Sequence, residues 1–174
     1  DLRLLYARAL LAVDQGDIVA GERDLHRVIE LKPDNAEALN ALGYTLADRS
    51  RPGDPEQKKA FDLIQRALKL KPDEPAIIDS MGWVHYRMGD LDASIESLRR
   101  AYAKQPDADI AAHLGEVLWV KGERDEALRG WEHGRKKVAK EKALLEAIKR
   151  LTSSLPPCFA PPRYRPCYFL MGSR

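Results

Sequence analysis

The 174 residues, 19.6 kDa, suffice for one ordinary domain or a short array of small repeats. With 44 % apolar and 32 % charged residues a core can be built, and disorder throughout is disfavoured. A formal charge of +2, from 29 basic and 27 acidic residues, creates no field suited to a dedicated nucleic-acid binder. No run approaches the ~18 apolar residues that span a bilayer.

The opening residues, DLRLLYARALL, read as the inside of a helix with no signal peptide in view, so a piece of a longer protein is expected. The first predicted unit covers about 2–35. Leu5, Ala9 and Ala12 mark one helix, Gly16-Asp17 the break, Gly21, Leu25 and Val28 a second helix, and Pro33 the stop. Arg8 stands in this unit where a leucine is expected. The second unit, about 36–74, places Leu39, Leu42, Gly43 and Leu46 on its first helix and Ala60, Ile64 and Ala67 on its second, closing at Pro72. Between them RSRPGDP, 49–55, reads as a loop inserted into the turn. The third unit, about 75–107, has Ile78, Met81, Gly82 and His85, the break Gly89-Asp90, then Ser94, Leu98, Ala101 and Pro106. The fourth, about 108–138, has Ala111, Leu114, Gly115 and Leu118, the break Gly122-Glu123, then Ala127, Trp131 and Gly134; Ala139 stands in place of the closing proline. A final helix over 139–152 carries Leu144, Ala147, Ile148 and Leu151 on one face and is expected to cap the array.

Residues 153–174 differ in character. They hold five of the eleven prolines, both cysteines and three arginines without an acid, and regular helix is excluded there. The segment is expected to be an irregular, mobile extension or a sequence of foreign origin, with a functional Pro-rich ligand stretch as the second reading. Cys158 and Cys167, nine residues apart, could pair in an oxidising compartment but carry no redox or metal motif.

Two markers define the period. Gly43, Gly82 and Gly115 are spaced 39 and 33, and Pro33, Pro72 and Pro106 are spaced 39 and 34. A helical hairpin of about 34 residues cannot bury both its faces alone, whereas stacked copies can. Small residues at the helix crossings let backbones approach, and large apolar residues fill the space between. In these features the chain resembles the tetratricopeptide repeat family over about 2–138. The resemblance implies an all-α solenoid of about four repeats plus the capping helix.

No P-loop, GxSxG, HExxH, EF-hand loop or GxGxxG is found. No catalytic residue, metal ligand or cofactor is therefore expected. His26, His85, His113 and His133 occupy unrelated helical positions, and His85 falls at a core place. What remains is a surface. In proteins of this kind the first helix of each repeat lines a concave groove. The positions that match are Tyr6; Asn40, Tyr44 and Asp48; Asp79, Trp83, Tyr86 and Arg87; and His113, Glu116 and Trp119. Aromatics among polar residues suit a hot spot for a peptide or a partner's helix. Trp83 and Tyr86 have a second reading, as packing against the next repeat. Trp131 is expected in the core. The cationic clamp of chaperone-tail-binding relatives is absent, since its places hold Tyr6, Leu10, Ala41, Ala76 and Ser80.

The run LNALGYTLADR, followed by AFDLIQRALKLKPDEPAIIDSMGWVHYRMGDLDASIESLRRAY and DIAAHLGEVLWVKGERDEA, is more specific. It resembles the C-terminal repeats of Gram-negative outer-membrane lipoproteins that act as adaptors for a carboxyl-terminal processing protease. That resemblance implies a periplasmic, membrane-anchored adaptor whose partners are the protease or its substrates, with a cytoplasmic place as the alternative. The second functional reading is a regulatory repeat module of a larger enzyme or of an envelope polysaccharide or secretion machine. Oligomeric state is open.

Overall fold

A computed structural model describes residues 1–137, with side chains to Glu132. The predicted closing helix 139–152, the tail 153–174 and both cysteines lie outside the described residues. The described part is all helix: α1 (Leu2–Asp14), α2 (Ile18–Leu31), α3 (Ala36–Arg49), α4 (Pro55–Leu70), α5 (Pro75–Arg87), α6 (Leu91–Lys104), α7 (Ala108–Lys121) and α8 (Arg124–Lys137). Each odd-numbered helix packs on the even one that follows it. The chain forms two compact units, 1–105 with α1 to α6 and a second unit that starts at Pro106 and holds α7 and α8. In the first unit α2 also lies on α3, α4 on α5, and α3 beside α5, which is the stacking of a solenoid.

The helix starts are written in the sequence. Side-chain oxygens of Asp1, Asp17, Asn35, Asp54, Asp90 and Asp107 accept backbone N–H groups of the first turns, at 2.8–3.1 Å. Each cap contributes about 1 kcal/mol by satisfying an N–H that has no partner inside the helix. α5 has no such bond from Glu74 and starts instead on Pro75, whose missing N–H costs nothing there.

Glycine serves two separate ends. At Gly89, between α5 and α6, φ is +86° and nothing lies near the missing Cβ, so the demand is for a left-handed turn. At Gly43 and Gly82, inside α3 and α5, the demand is for space. A Cβ on Gly43 would stand 2.6 Å from Ile64 Cγ1 and 3.0 Å from the Ala60 carbonyl oxygen; one on Gly82 would stand 2.6 Å from Leu98 Cγ. In the second unit a Cβ on Gly115 would overlap the Trp131 indole. These glycines bring paired helices together over the buried residues Leu39, Leu42, Ile64, Ile78, Leu98, Leu118 and Trp131.

The inserted loop is fastened at both ends. α3 stops at Arg49 and the chain turns extended at Ser50, whose hydroxyl donates to the Ala47 carbonyl at 2.8 Å. Gly53, at φ +83°, donates its N–H to Gln57 Oε1 at 3.2 Å. Gln57 Nε2 donates to the Arg87 carbonyl at 2.5 Å, and the Arg87 guanidinium donates to the Ser50 carbonyl. Loop 50–54 is thereby tied to the C-terminal end of α5.

Candidate functional site

In the first unit the inner helices α1, α3 and α5 carry eight of the predicted groove residues, and the structure sorts them into two groups. Tyr6, Asn40 and Tyr44, on α1 and α3, keep part of their surface open. Asp48, one turn beyond Tyr44, is also half-open. On α5, Asp79, Trp83, Tyr86 and Arg87 are all buried. Trp83 retains 1 % of its surface, and its ring meets that of Tyr86 at 5.1 Å between centroids, tilted by 50°. Such a pair holds about 1 kcal/mol beyond the area it buries. Arg87 is held in the fastening of loop 50–54. It lies at the end of α5 whose carbonyl groups need partners, and it satisfies the carbonyl of Ser50 instead of facing a ligand.

The electrostatics of the open group are mild. Burial, and then the charge of Glu37, push the Tyr6 phenol above its ordinary value, so it remains protonated and able to donate. Glu37 is paired with Lys71, whose ammonium hydrogen bond holds the carboxyl below its usual range. Asn40 Oδ1 is buried without a hydrogen-bond partner, next to a side chain that is otherwise half-open. The open group comprises the two tyrosines, the Asn40 amide and the Asp48 carboxylate, on α1 and α3. That set can grip a polypeptide through apolar contact and hydrogen bonds, and it supplies no nucleophile paired with a base.

In the second unit His113 is half-buried and Glu116 is buried. Trp119 stacks on Trp131, with centroids 5.8 Å apart and planes 29° apart, and the Arg124 guanidinium carbon lies 5.1 Å above the Trp119 ring. A sandwich of cation, indole and indole thus joins α7 to α8. Trp131, fully buried, has the core place expected for it. Among the described residues no cluster of His, Cys, Asp and Glu could hold a metal ion, and no helix is long and apolar enough to cross a membrane.

Two features escaped the sequence. One is the Ser50–Gln57–Arg87 tie, in which Gln57 is buried two residues into α4 and which no repeat position announces. The other is Asp24, buried in α2, where the Arg8 guanidinium at 2.6 Å and Arg23 at 3.2 Å reach it. Arg8 at a leucine place and an acid on the facing helix, sixteen residues on, were the available signal.

A tetratricopeptide repeat model matches residues 6–75 and 80–133. A TPR repeat-containing protein of Pseudomonas aeruginosa is 53 % identical over 116 residues, which are 67 % of this chain and 19 % of that protein. The chain therefore spans about a fifth of that relative's length. Among solved structures, a thermophilic TPR protein of Thermus thermophilus superposes with a TM-score of 0.75 at 20 % identity, over 88 % of this chain and 80 % of that one. An O-GlcNAc transferase of Thermobaculum terrenum superposes with a TM-score of 0.70 at 26 % identity, over 78 % of this chain and 26 % of that one.

Proposed function

Because the chain belongs to the tetratricopeptide repeat family, we propose that it is the partner-binding part of a non-catalytic adaptor that holds a protein or peptide against the inner helices of its repeats. The observation that carries this reading is the open group on the neighbouring helices α1 and α3, where Tyr6, Asn40 and Tyr44 are each half-exposed. Aromatic anchors among polar rims are how such surfaces bind. The setting is periplasmic, at the outer membrane, with a processing protease or its substrates as partner. Its support is the resemblance of LNALGYTLADR and the two runs that follow it to the repeats of lipoprotein adaptors.

Affinity capture from Gram-negative periplasmic extract tests it, with the whole chain as bait and the Tyr6→Ala/Tyr44→Ala variant as control. Trp83 and Tyr86 are unsuitable as controls because their burial makes them structural. A processing protease or cell-wall hydrolase retained by the chain, and lost by at least tenfold from an equally helical variant, is the expected result. Equal retention by both overturns the assignment of the open group.

A second reading, a regulatory module of a larger enzyme, is favoured by one observation: the superposed transferase devotes about a quarter of its chain to the matching repeats. Capture of biosynthetic enzymes in place of proteases would move the assignment there.

A further inference from the structure

The open face of α1 and α3 is built from two matched stripes. The repeat spacing of 34 takes Tyr6, Leu10 and Asp14 of α1 to Asn40, Tyr44 and Asp48 of α3. Within each helix the three residues stand at i, i+4 and i+8, on one side of the cylinder. None of the six is buried. The spacing of 39 takes the second stripe on to Asp79, Trp83 and Arg87 of α5, all buried. The open face therefore runs from a phenol and an amide, through Leu10 and the Tyr44 ring, to two carboxylates.

Those carboxylates stand where helices least favour them. Asp14 is the last residue of α1 and Asp48 the last but one of α3, beside terminal carbonyl groups that carry partial negative charge. α1 has no basic residue in its last turn, and Arg49 of α3 is committed to Glu22. Among the described residues neither carboxylate has an ion pair or a hydrogen-bond donor. In α5 the same register place holds a cation, Arg87, which the fold uses to bind the Ser50 carbonyl. A second observation is independent of charge. Asn40 Oδ1, on the same stripe as Asp48, is buried with no hydrogen-bond partner. Acceptors on this face thus outrun their donors on both helices, and local rules are broken in this way where a protein keeps groups for a ligand.

We infer that the occupant of this face is a basic segment of a partner protein, an inference that rests on the partner-binding reading and names the chemistry of that partner. A lysine or arginine of the segment lays its stem along Leu10 and the Tyr44 ring and carries its head to Asp14 and Asp48. One helical turn, ~5.4 Å, separates the apolar from the acidic place on each helix, a span that such a stem covers. Its head is a donor without acceptors and matches carboxylates that lack donors. The tyrosine ring adds a cation–π contact. The chain as a whole carries +2, so a basic segment is drawn by this face and not by the net charge.

The test uses the whole chain and three end-capped peptides that differ only in charge: one alternates leucine with arginine, and the others carry glutamine or glutamate in place of arginine. Fluorescence anisotropy should show the arginine peptide binding about tenfold or more tighter than the glutamine peptide, with the glutamate peptide weakest and added salt eroding the difference. Asp14→Asn/Asp48→Asn should remove the arginine preference. Asp34→Asn/Glu96→Gln, which removes the same charge from exposed positions elsewhere in this unit, should leave it intact. The Asp14→Asn/Asp48→Asn variant should keep or raise its Tm, because carboxylates at helix C-termini do not support the fold. A lower Tm would give them a structural role and overturn the inference. So would arginine and glutamine peptides bound alike or not at all, or an arginine preference that survives Asp14→Asn/Asp48→Asn. The partner-binding reading fails separately, when Tyr6→Ala/Tyr44→Ala retains the captured partners, whatever the peptides do.

Discussion

The first and third hairpins follow one sequence pattern and reach different ends. Both have a small residue at the helix crossing, a glycine-aspartate turn and a closing proline. Yet α5 buries ten of its residues, while α1 buries Ala9 alone. The pattern specifies which faces of a hairpin are apolar. Its place in the stack specifies which of those faces lose water. Burial, and with it stability, is therefore concentrated where helices have neighbours on both sides, and the first hairpin should behave as the weak end of its unit.

The largest blow to that contrast is Gly82→Leu. The glycine lies against Leu98 and the Ser94 carbonyl, and both partners are held by the surrounding core. Added volume there forces α5 from α6, at about 3 kcal/mol or more. Thermal unfolding should show the loss across α3 to α6 together, because α5 packs on α3, α4 and α6. An unchanged Tm would mean that the close approach at Gly82 is absent in solution.

Arg87→Ala strikes the same helix from its polar end. It strips the Ser50 carbonyl of its donor and leaves α3 without that link to α5, at about 2 kcal/mol. The readout is local: amides of 50–57 should exchange faster while those of α6 hold their protection. Uniform loosening of α3 to α6 would show that Arg87 supports the whole interior and not the loop.

Arg87 also shows where sequence reasoning stops. The hairpins and their turns were legible, because spacing of glycine, proline and leucine states a local requirement at each position. Trp131 could be assigned to the core on the same basis. Partners across an irregular feature could not. The insertion at 49–55 lengthens the turn after α3 and leaves the Ser50 carbonyl to be satisfied, and no repeat position provides for that. Arg87, read by register as a groove residue, is the side chain near enough to do it. Trp119 departs for a similar reason. Register puts it on the inner side of α7, but Trp131 and Arg124 hold it toward α8. Tyr6, Asn40 and Tyr44, on α1 and α3, keep part of their surface open.

The smallest expected effect belongs to the weak end, and its sign can be worked out. Chiefly through the Arg8 hydrogen bond, Asp24 is held below the usual carboxylate range, although burial opposes this. A carboxyl with a depressed value in the folded state adds stability above its unfolded value, about 4, and loses it as the pH falls through the folded one. Wild-type protein should therefore lose Tm between pH 6 and pH 3, partly through Asp24. Arg8→Ala lets burial raise the carboxyl, so the variant starts less stable at pH 6 and loses less on acidification. Comparing the two pH profiles cancels Glu37 and Asp73, whose lysine-paired carboxyls are also depressed. Parallel profiles would show that the Arg8–Asp24 pair contributes nothing to the first hairpin, and α1 would then be held to α2 by packing, with Ala9 and Val13 close against Gly21.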